Sequence, residues 1–122
     1  MKTPYDIQDR SFLFACRIVD FCKPLFGPPT VLRELSRQLI RAGTSVGANL
    51  EEAEAGQTKP DFRTKVAISR KEAREARYWL RLIAHAEPRL NIQAAPLIDE
   101  ACQIVQILTA IKKSAETNDN RG

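Results

Sequence analysis

The 122-residue chain is 43% hydrophobic and 28% charged, a composition that fits one globular domain and excludes wholesale disorder. Nineteen basic and fifteen acidic side chains leave a formal net charge of +4, which favours anionic partners without requiring them. The three cysteines lack the spacing of a metal site or a disulfide framework. The sequence also lacks a signal-peptide core and an apolar run of membrane-spanning length, so we expect a cytoplasmic protein with no membrane contact.

Helical periodicity begins after Asp6, a capping residue, and Gly27-Pro28-Pro29 ends this first helix. Its apolar residues recur three and four positions apart, at Phe14, Ile18, Phe21 and Leu25. Thr30 is the expected cap of helix two. The core-facing residues of helix two alternate threes and fours, at Leu32, Leu35, Leu39, Ala42, Val46, Asn49 and Ala53.

Helix two carries two interior glycines, Gly43 and Gly47, and each costs about 1 kcal/mol relative to alanine. Because they are four residues apart, they share one helix face on which another helix can approach closely. Asn49 places an amide on the core-facing stripe, and Glu52 lies about one turn further along. A buried amide needs hydrogen-bond partners, so we interpret all four residues as helix-packing positions.

A short loop around residue 58 leads into helix three, whose core-facing residues are predicted at Phe62, Val66, Ser69, Ala73, Ala76, Leu80 and Ile83. Helices joined by so short a loop must be antiparallel neighbours. Folding the pair about residue 58 sets Gly43 opposite Ala73 and Gly47 opposite Ser69. The close crossing is therefore predicted between helices two and three.

Pro88 ends helix three, and helix four is predicted to begin between Asn91 and Leu97, with Pro96 favouring the later start. Its apolar band is broad and comprises Leu97, Ile98, Ala101, Ile104, Val105, Ile107, Leu108 and Ile111. A band this wide predicts that one side of helix four packs against the bundle and that another side packs against a second subunit. Residues 1–115 are thus predicted to form an all-α, up-down-up-down four-helix bundle that assembles into a homo-oligomer. A polar, disordered tail is predicted over residues 116–122.

Two long runs, Leu39 to Ala53 and Ala67 to Leu80, together with Asp61-Phe62, resemble a bacterial protein family. Its members are four helix bundle proteins encoded within intervening sequences of large-subunit ribosomal RNA genes, the 23S rRNA-intervening sequence protein family. The matching positions are Arg41, Ser45, Gly47, Asn49, Glu52 and residues 71–80. The resemblance implies a barrel-like homopentamer. It also implies an architecture similar to the accessory protein of diversity-generating retroelements, a basic pentamer that engages nucleic acid and a reverse transcriptase. The family brings no catalytic residues.

Helix three carries a series of basic residues: Arg63, Arg70, Lys71, Arg74, Arg77 and Arg81. The last four arginines step by four, three and four, so they form one continuous stripe on a rigid rod, which matches the regular charge of a phosphate backbone. The alternative is a solvated face whose charge is neutralised by nearby acids such as Glu72 and Glu75. The predicted register also sets Arg41 near Glu75 and Glu52 near Lys65.

The sequence does not contain the residues that a metal site, a phosphate loop or a catalytic site would require. Di-iron bundles need Glu-x-x-His on two helices, and the only histidine, His85, follows Leu82 by three, so we expect no metal and no cofactor. Gly43 and Gly47 belong to no phosphate loop, and Ser45 has no histidine relay, so no catalytic residue is predicted. Tyr78 and Trp79 could stack on bases or could serve as core or subunit contacts.

The sequence therefore favours a non-enzymatic, oligomeric helical bundle that binds nucleic acid, either RNA or DNA, or a ribonucleoprotein through the basic residues of helix three. The alternative is a protein–protein interaction adaptor that docks a protein partner and binds no nucleic acid. In that alternative the arginines serve internal pairing only.

Overall fold

The computed structural model of the protein describes residues 6–55 and 58–121, with the side chains described as far as residue 117. Four α-helices follow one another along the chain: α1 (Ile7–Cys22), α2 (Thr30–Glu54), α3 (Lys59–Ala86) and α4 (Asn91–Arg121). Short 3₁₀ helices at Lys23–Leu25 and Pro88–Leu90 precede α2 and α4. No strand occurs in the described ranges, and the all-α fold class with four helices is confirmed.

The helix starts follow their capping residues. The Asp6 carboxylate accepts a hydrogen bond from Gln8 N at 2.8 Å, and Thr58 Oγ1 accepts one from Asp61 N at 3.2 Å. Both caps satisfy backbone donors that a helix start leaves free. The prediction that Thr30 caps α2 is wrong by one residue, because Pro29 occupies the cap position and has no side chain able to accept a bond.

Each helix packs against two others: α1 and α3 both contact α2 and α4. The core lies between the four helices and contains the fully buried Phe14, Ile18, Leu39, Val46, Val66, Leu80, Ile83, Ile104 and Leu108. Burial of each such side chain stabilises the fold by about 1.5–3 kcal/mol. The α3 pattern is confirmed except at Phe62, which is half-buried.

Two polar contacts fix the register of α2 against α3. Ser69 Oγ donates to the backbone oxygen of Val46 at 2.7 Å inside the interface. Nearer the surface, Arg41 Nη2 lies 3.1 Å from Glu75 Oε1, as predicted. No ion pair joins the exposed Glu52 to Lys65 in the described part of the chain, so their predicted proximity stays a prediction.

The glycines of α2 face α1 and not α3. A Cβ atom added at Gly43 would lie 3.0 Å from Cγ1 and Cγ2 of Ile18, and one added at Gly47 would lie 3.6 Å from Ser11 Cβ. The predicted approach of α3 to these glycines is therefore wrong. Helical periodicity determines which residues share a face, but it does not determine which neighbouring helix that face meets.

The packing of α1 against α2 also shows that the predicted core-facing position of Asn49 is wrong. α1 lies along one row of α2, with contacts that join Cys22 to Ser36, Ile18 to Gly43 and Gln8 to Leu50. This row buries Ser36 and Leu50, whereas Leu35 and Asn49 are only half-buried. Asn49 Nδ2 donates to Ser45 O at 2.8 Å within its own helix. The amide is thus satisfied locally and lies beside the core-facing stripe.

Helix α4 begins at Asn91, the early end of the predicted range, and contains Pro96. Its backbone is helical to Arg121, and Gly122 lies outside the described residues; disorder of the tail over residues 116–122 stays a prediction. Lys112 Nζ lies 2.6 Å from Glu116 Oε1, and Thr117 Oγ1 donates to Lys113 O at 3.0 Å. Pairs four residues apart can thus support helix in a polar segment.

The apolar band of α4 is buried on one side only. Ala94, Leu97, Ala101, Ile104 and Leu108 are buried, whereas Ile98, Val105, Ile107 and Ile111 are half-buried.

Contrary to the expectation from the sequence, the segment 88–117 is long and apolar enough to cross a membrane, with 28% of its most apolar window buried. A single helix of this kind is weak evidence for a membrane span, because core helices of soluble proteins have the same composition.

Candidate nucleic-acid interface

The six basic residues of α3 fall into two groups. Lys71, Arg74 and Arg81 are exposed, whereas Arg63, Arg70 and Arg77 are half-buried. Members of the second group are seven residues apart, so they form one row along the helix. The predicted continuous stripe is thus divided into an exposed part and a part that leans against the protein.

The half-buried row borders α4. Arg77 Nη1 donates to Cys102 Sγ at 3.7 Å. The pKa of the exposed Glu116 carboxyl is lowered, chiefly by its hydrogen bond from Lys112 and in smaller part by the charge of Arg63. Arg63 and Arg77 therefore interact with α4, which leaves Lys71, Arg74 and Arg81 as the cations directed to solvent.

The acids beside the basic residues are held by another helix. Arg41 of α2 lies 3.5 Å from Glu72 Oε2 and 3.1 Å from Glu75 Oε1. Glu72 is buried in this contact. Within the ranges that the structure describes, no ion pair joins Lys71, Arg74 or Arg81 to a carboxylate. The glutamates therefore pair with Arg41 across the α2–α3 interface, and neither forms an ion pair with these three cations.

A groove of about 440 Å³ opens on this face of α3, and its lining residues are Ala67, Arg70, Lys71, Arg74, Glu75, Arg77, Tyr78 and Trp79. Two nitrogens along it, Arg70 Nε and Trp79 Nε1, are buried without an acceptor in the described part of the protein. Because these two atoms are shielded from solvent, the charged donors that the groove offers a ligand are those of the exposed Lys71 and Arg74.

The two aromatic residues of the groove have different surroundings. Tyr78 is 53% exposed, whereas Trp79 is half-buried. Their ring centroids are 5.3 Å apart and their planes meet at 75°, an edge-to-face contact that holds the Tyr78 ring in place. Of the two interpretations left open by the sequence, a core position is therefore excluded for Tyr78.

The predicted packing residues of α2 lie outside the groove. Gly43 and Gly47 face α1, Asn49 bonds within its helix, and Glu52 is exposed. Sequence reasoning missed Ala67 as a lining residue. Its signal was its spacing: it lies four residues before Lys71, and therefore on the same helix face.

Metal-binding clusters and the two cysteines of α1 can be described from the structure as well. Among the described residues, His, Cys, Asp and Glu do not gather in groups of three or more that could hold a metal ion. Cys16 is exposed and Cys22 is buried. Burial raises the pKa of the Cys22 thiol to about 11, an effect only partly offset by its hydrogen bond to Ser36, so the thiol stays protonated at neutral pH.

Comparison with known proteins gives a matching family and similar solved structures. A family described as 23S rRNA-intervening sequence protein matches residues 4–110. The chain is also similar to a protein of unknown function from the S23 ribosomal protein family of Bacteroides thetaiotaomicron, whose crystal structure is known. The two share 37% identity and superpose with a TM-score of 0.81, over 88% of this chain and 98% of that one. A search of curated proteins gives no match.

Proposed function

The chain belongs to the 23S rRNA-intervening sequence protein family, and from this premise we propose that it is a non-enzymatic helical protein that binds nucleic acid through the α3 groove. Lys71, Arg74 and Arg81 make the main phosphate contacts in this proposal. Arg70 contributes from the groove wall. We place the protein in the cytoplasm.

One observation carries the proposal: Arg41 holds Glu72 and Glu75, so the exposed cations of α3 keep their charge free for a ligand. Lys71 and Arg81 are ten residues apart, which corresponds to about 15 Å along a helix. Phosphates of one B-form strand repeat about every 3.4 Å along the axis, so this length spans about four of them. Guanidinium groups on a rigid rod bind such an array with little loss of conformational entropy.

The relatives make RNA the first ligand to test. The description of the matching family refers to intervening sequences of 23S rRNA. The similar protein from Bacteroides thetaiotaomicron has unknown function and is assigned to a ribosomal protein family. These descriptions apply to the relatives. For this chain they support RNA ahead of DNA within the same proposal.

We further propose an up-down-up-down bundle that assembles into a homo-oligomer, with five subunits expected from the family resemblance. Contacts at both ends of α1, Gln8 with Glu54 and Cys22 with Ser36, support opposite directions for α1 and α2. Surface left apolar on the single chain supports assembly: its exposed members include Phe12 (64%), Leu13 (59%) and Ile92 (87%). Assembly would present the groove once per subunit.

The second candidate function is a protein–protein interaction adaptor. Phe12 and Leu13 favour it, because they border a surface groove with Gln8, Asp9 and Glu51, and exposed apolar side chains next to polar ones are typical of docking surfaces. In this candidate the partner docks on α1, and the basic residues of α3 bind nothing.

Salt dependence of binding distinguishes the two functions. We would measure the dissociation constant for single-stranded RNA and DNA oligomers between 50 and 200 mM salt, roughly the range over which phosphate contacts lose most of their strength. About three contacts per subunit predict a logarithmic slope of about −2 for single strands, at 0.7 per contact. Nucleic acid that fails to bind even at the lowest salt would leave the adaptor as the better account.

A further inference from the structure

We infer that the α3 groove binds single-stranded nucleic acid, with one base stacked on the Tyr78 ring and the adjoining phosphates on Arg74 and Arg81. The inference rests on the proposed nucleic-acid function and specifies its ligand. It follows from where the exposed aromatic ring lies relative to the free cations.

Tyr78 stands between the two arginines on one face of α3. Arg74 precedes it by four residues and Arg81 follows it by three, and side chains at these spacings are neighbours, with Cβ atoms about 5–6 Å apart. The ring is 53% exposed and is held by its edge-to-face contact with Trp79. A fixed aromatic surface between two cations is the arrangement by which proteins bind single strands without sequence preference.

A duplex cannot use this arrangement. Its bases are paired and stacked on each other, so it presents base edges in its grooves and phosphates on its outside. A ring on the outer face of one helix has no base face to contact there. The arginines would still contact duplex phosphates, and the Tyr78 contribution would be absent.

The size of the groove suits an unpaired base. The groove has a volume of about 440 Å³, and both Tyr78 and Arg74 line it. Base carbonyls and phosphate oxygens of an unstacked nucleotide are acceptors for the exposed donors of Arg74 and Arg81. Glu75, the one acid in the lining, is already engaged by Arg41.

The test compares Tyr78 variants on matched ligands. Anisotropy titrations would use labelled single-stranded RNA and DNA 12-mers and the corresponding duplexes at one fixed salt concentration. We expect Tyr78→Ala to weaken single-strand binding by about tenfold and duplex binding by less than about twofold, since stacking of one base contributes roughly this much. Tyr78→Phe, which keeps the ring, should bind as the parent protein does.

A second readout reports stacking directly. The chain has one tryptophan, and it contacts Tyr78, so its fluorescence should be quenched by single strands and not by duplexes. Tyr78→Leu keeps an apolar side chain against Trp79 and replaces Tyr78→Ala if the latter does not fold. Circular dichroism and native mass spectrometry of each variant confirm that fold and assembly are retained.

Two outcomes overturn the inference in distinguishable ways. If Tyr78→Ala and Tyr78→Leu bind single strands as tightly as the parent does, whereas Arg74→Glu weakens binding to both ligands, base stacking is refuted and the nucleic-acid function stands. If the parent protein binds neither single strands nor duplexes at low salt, the proposed function fails, and the inference fails with it.

Discussion

Arg41 Nη2 of α2 lies 3.1 Å from Glu75 Oε1 of α3, and this contact separates the acids of α3 from its exposed cations. The same guanidinium lies 3.5 Å from Glu72 Oε2. One residue on a neighbouring helix thus determines the electrostatic character of the α3 surface. Its removal should therefore affect nucleic-acid binding, although Arg41 itself does not line the groove.

We expect Arg41→Ala to weaken RNA binding several-fold, because Glu75 becomes free to pair with the cations of the groove. Arg41→Ala/Glu75→Gln should recover most of that loss, and affinity titrations of both variants would check it. The single change should also lower the free energy of unfolding by about 1–2 kcal/mol, since it leaves the buried Glu72 without its partner. A double variant as weak as the single one would show that Glu75 is not responsible.

Substitution of the two α2 glycines should have opposite effects on stability. A methyl group at Gly47 meets only ordinary contacts at 3.6 Å, so Gly47→Ala should raise the free energy of unfolding by about 0.5–1 kcal/mol through helix propensity. At Gly43 the methyl group would lie 3.0 Å from Ile18, which is fully buried and stiff at χ1. Gly43→Ala should therefore destabilise the protein by about 1 kcal/mol net.

Urea unfolding of the two variants side by side measures this difference. Each is the control of the other, because both replace a glycine of the same helix by alanine. Equal shifts in the two midpoints would contradict the close approach of Ile18 to Gly43.

The sequence predicted best what depends on periodicity within one helix. Val66, Ser69, Ala73, Leu80 and Ile83 are all buried as their spacing required, because a 3.6-residue repeat is a local property of the chain. The Arg41–Glu75 pair could also be predicted, since a short loop limits the possible registers of α2 and α3.

The remaining features depend on which helices meet, and spacing does not contain that information. Gly43 and Gly47 share a face, as predicted, but α1 covers it, so the glycine face was assigned to the wrong neighbouring helix. For the same reason the sequence alone did not distinguish the exposed basic residues of α3 from the half-buried ones. Only the position of α4 shows that Arg77 leans on Cys102 whereas Arg74 and Arg81 face solvent.

A half-buried ion pair joins α1 to α4 and should contribute measurably to stability. Arg10 Nε and Nη2 donate to the two carboxylate oxygens of Glu100 at 3.0 and 2.6 Å, with side chains 21% and 18% exposed. These hydrogen bonds raise the pKa of Arg10. Arg10→Ala should lower the free energy of unfolding by about 1–3 kcal/mol.

The matched control for this pair is Arg37→Ala. Arg37 lies 3.9 Å from Glu34 on an exposed part of α2, and such surface pairs contribute about 0–1 kcal/mol. Thermal and denaturant unfolding of both variants would be compared. A loss at Arg37 equal to that at Arg10 would contradict the assignment of the α1–α4 pair as the stronger contact.

The cysteines should differ sharply in reactivity and in their effect on pH dependence. Iodoacetamide should modify the exposed Cys16 in the native protein and modify the buried Cys22 only after unfolding, as peptide mass spectrometry would show. Because the folded state raises the Cys22 pKa from its ordinary 9.0 to about 11, the folded protein binds this proton more tightly. The resulting stabilisation is complete below pH 9.0 and is lost as the pH rises to about 11.

Cys22→Ala provides the comparison for the pH effect. The difference in unfolding free energy between parent and variant should shrink over that alkaline interval and stay constant below it. A constant difference throughout would show that Cys22 does not titrate differently in the two states.

The central claim is that the exposed cations of α3 bind nucleic acid, and charge reversal tests it most directly. Arg74→Glu/Arg81→Glu lowers the formal net charge from +4 to 0, since each replacement removes one positive charge and adds one negative charge. Arg17→Glu/Lys23→Glu produces the same change with exposed residues of α1 and the 3₁₀ helix that follows it, and α1 does not contact α3.

The deciding measurement is the dissociation constant of both double variants for the same single-stranded RNA, with native mass spectrometry to confirm equal assembly. We expect the α3 variant to bind about 100-fold more weakly than the parent and the control variant to bind within a few-fold of it, because only the former replaces phosphate contacts by repulsion. Equal dissociation constants for the two folded and equally assembled variants would contradict the assignment of the α3 groove as the binding site.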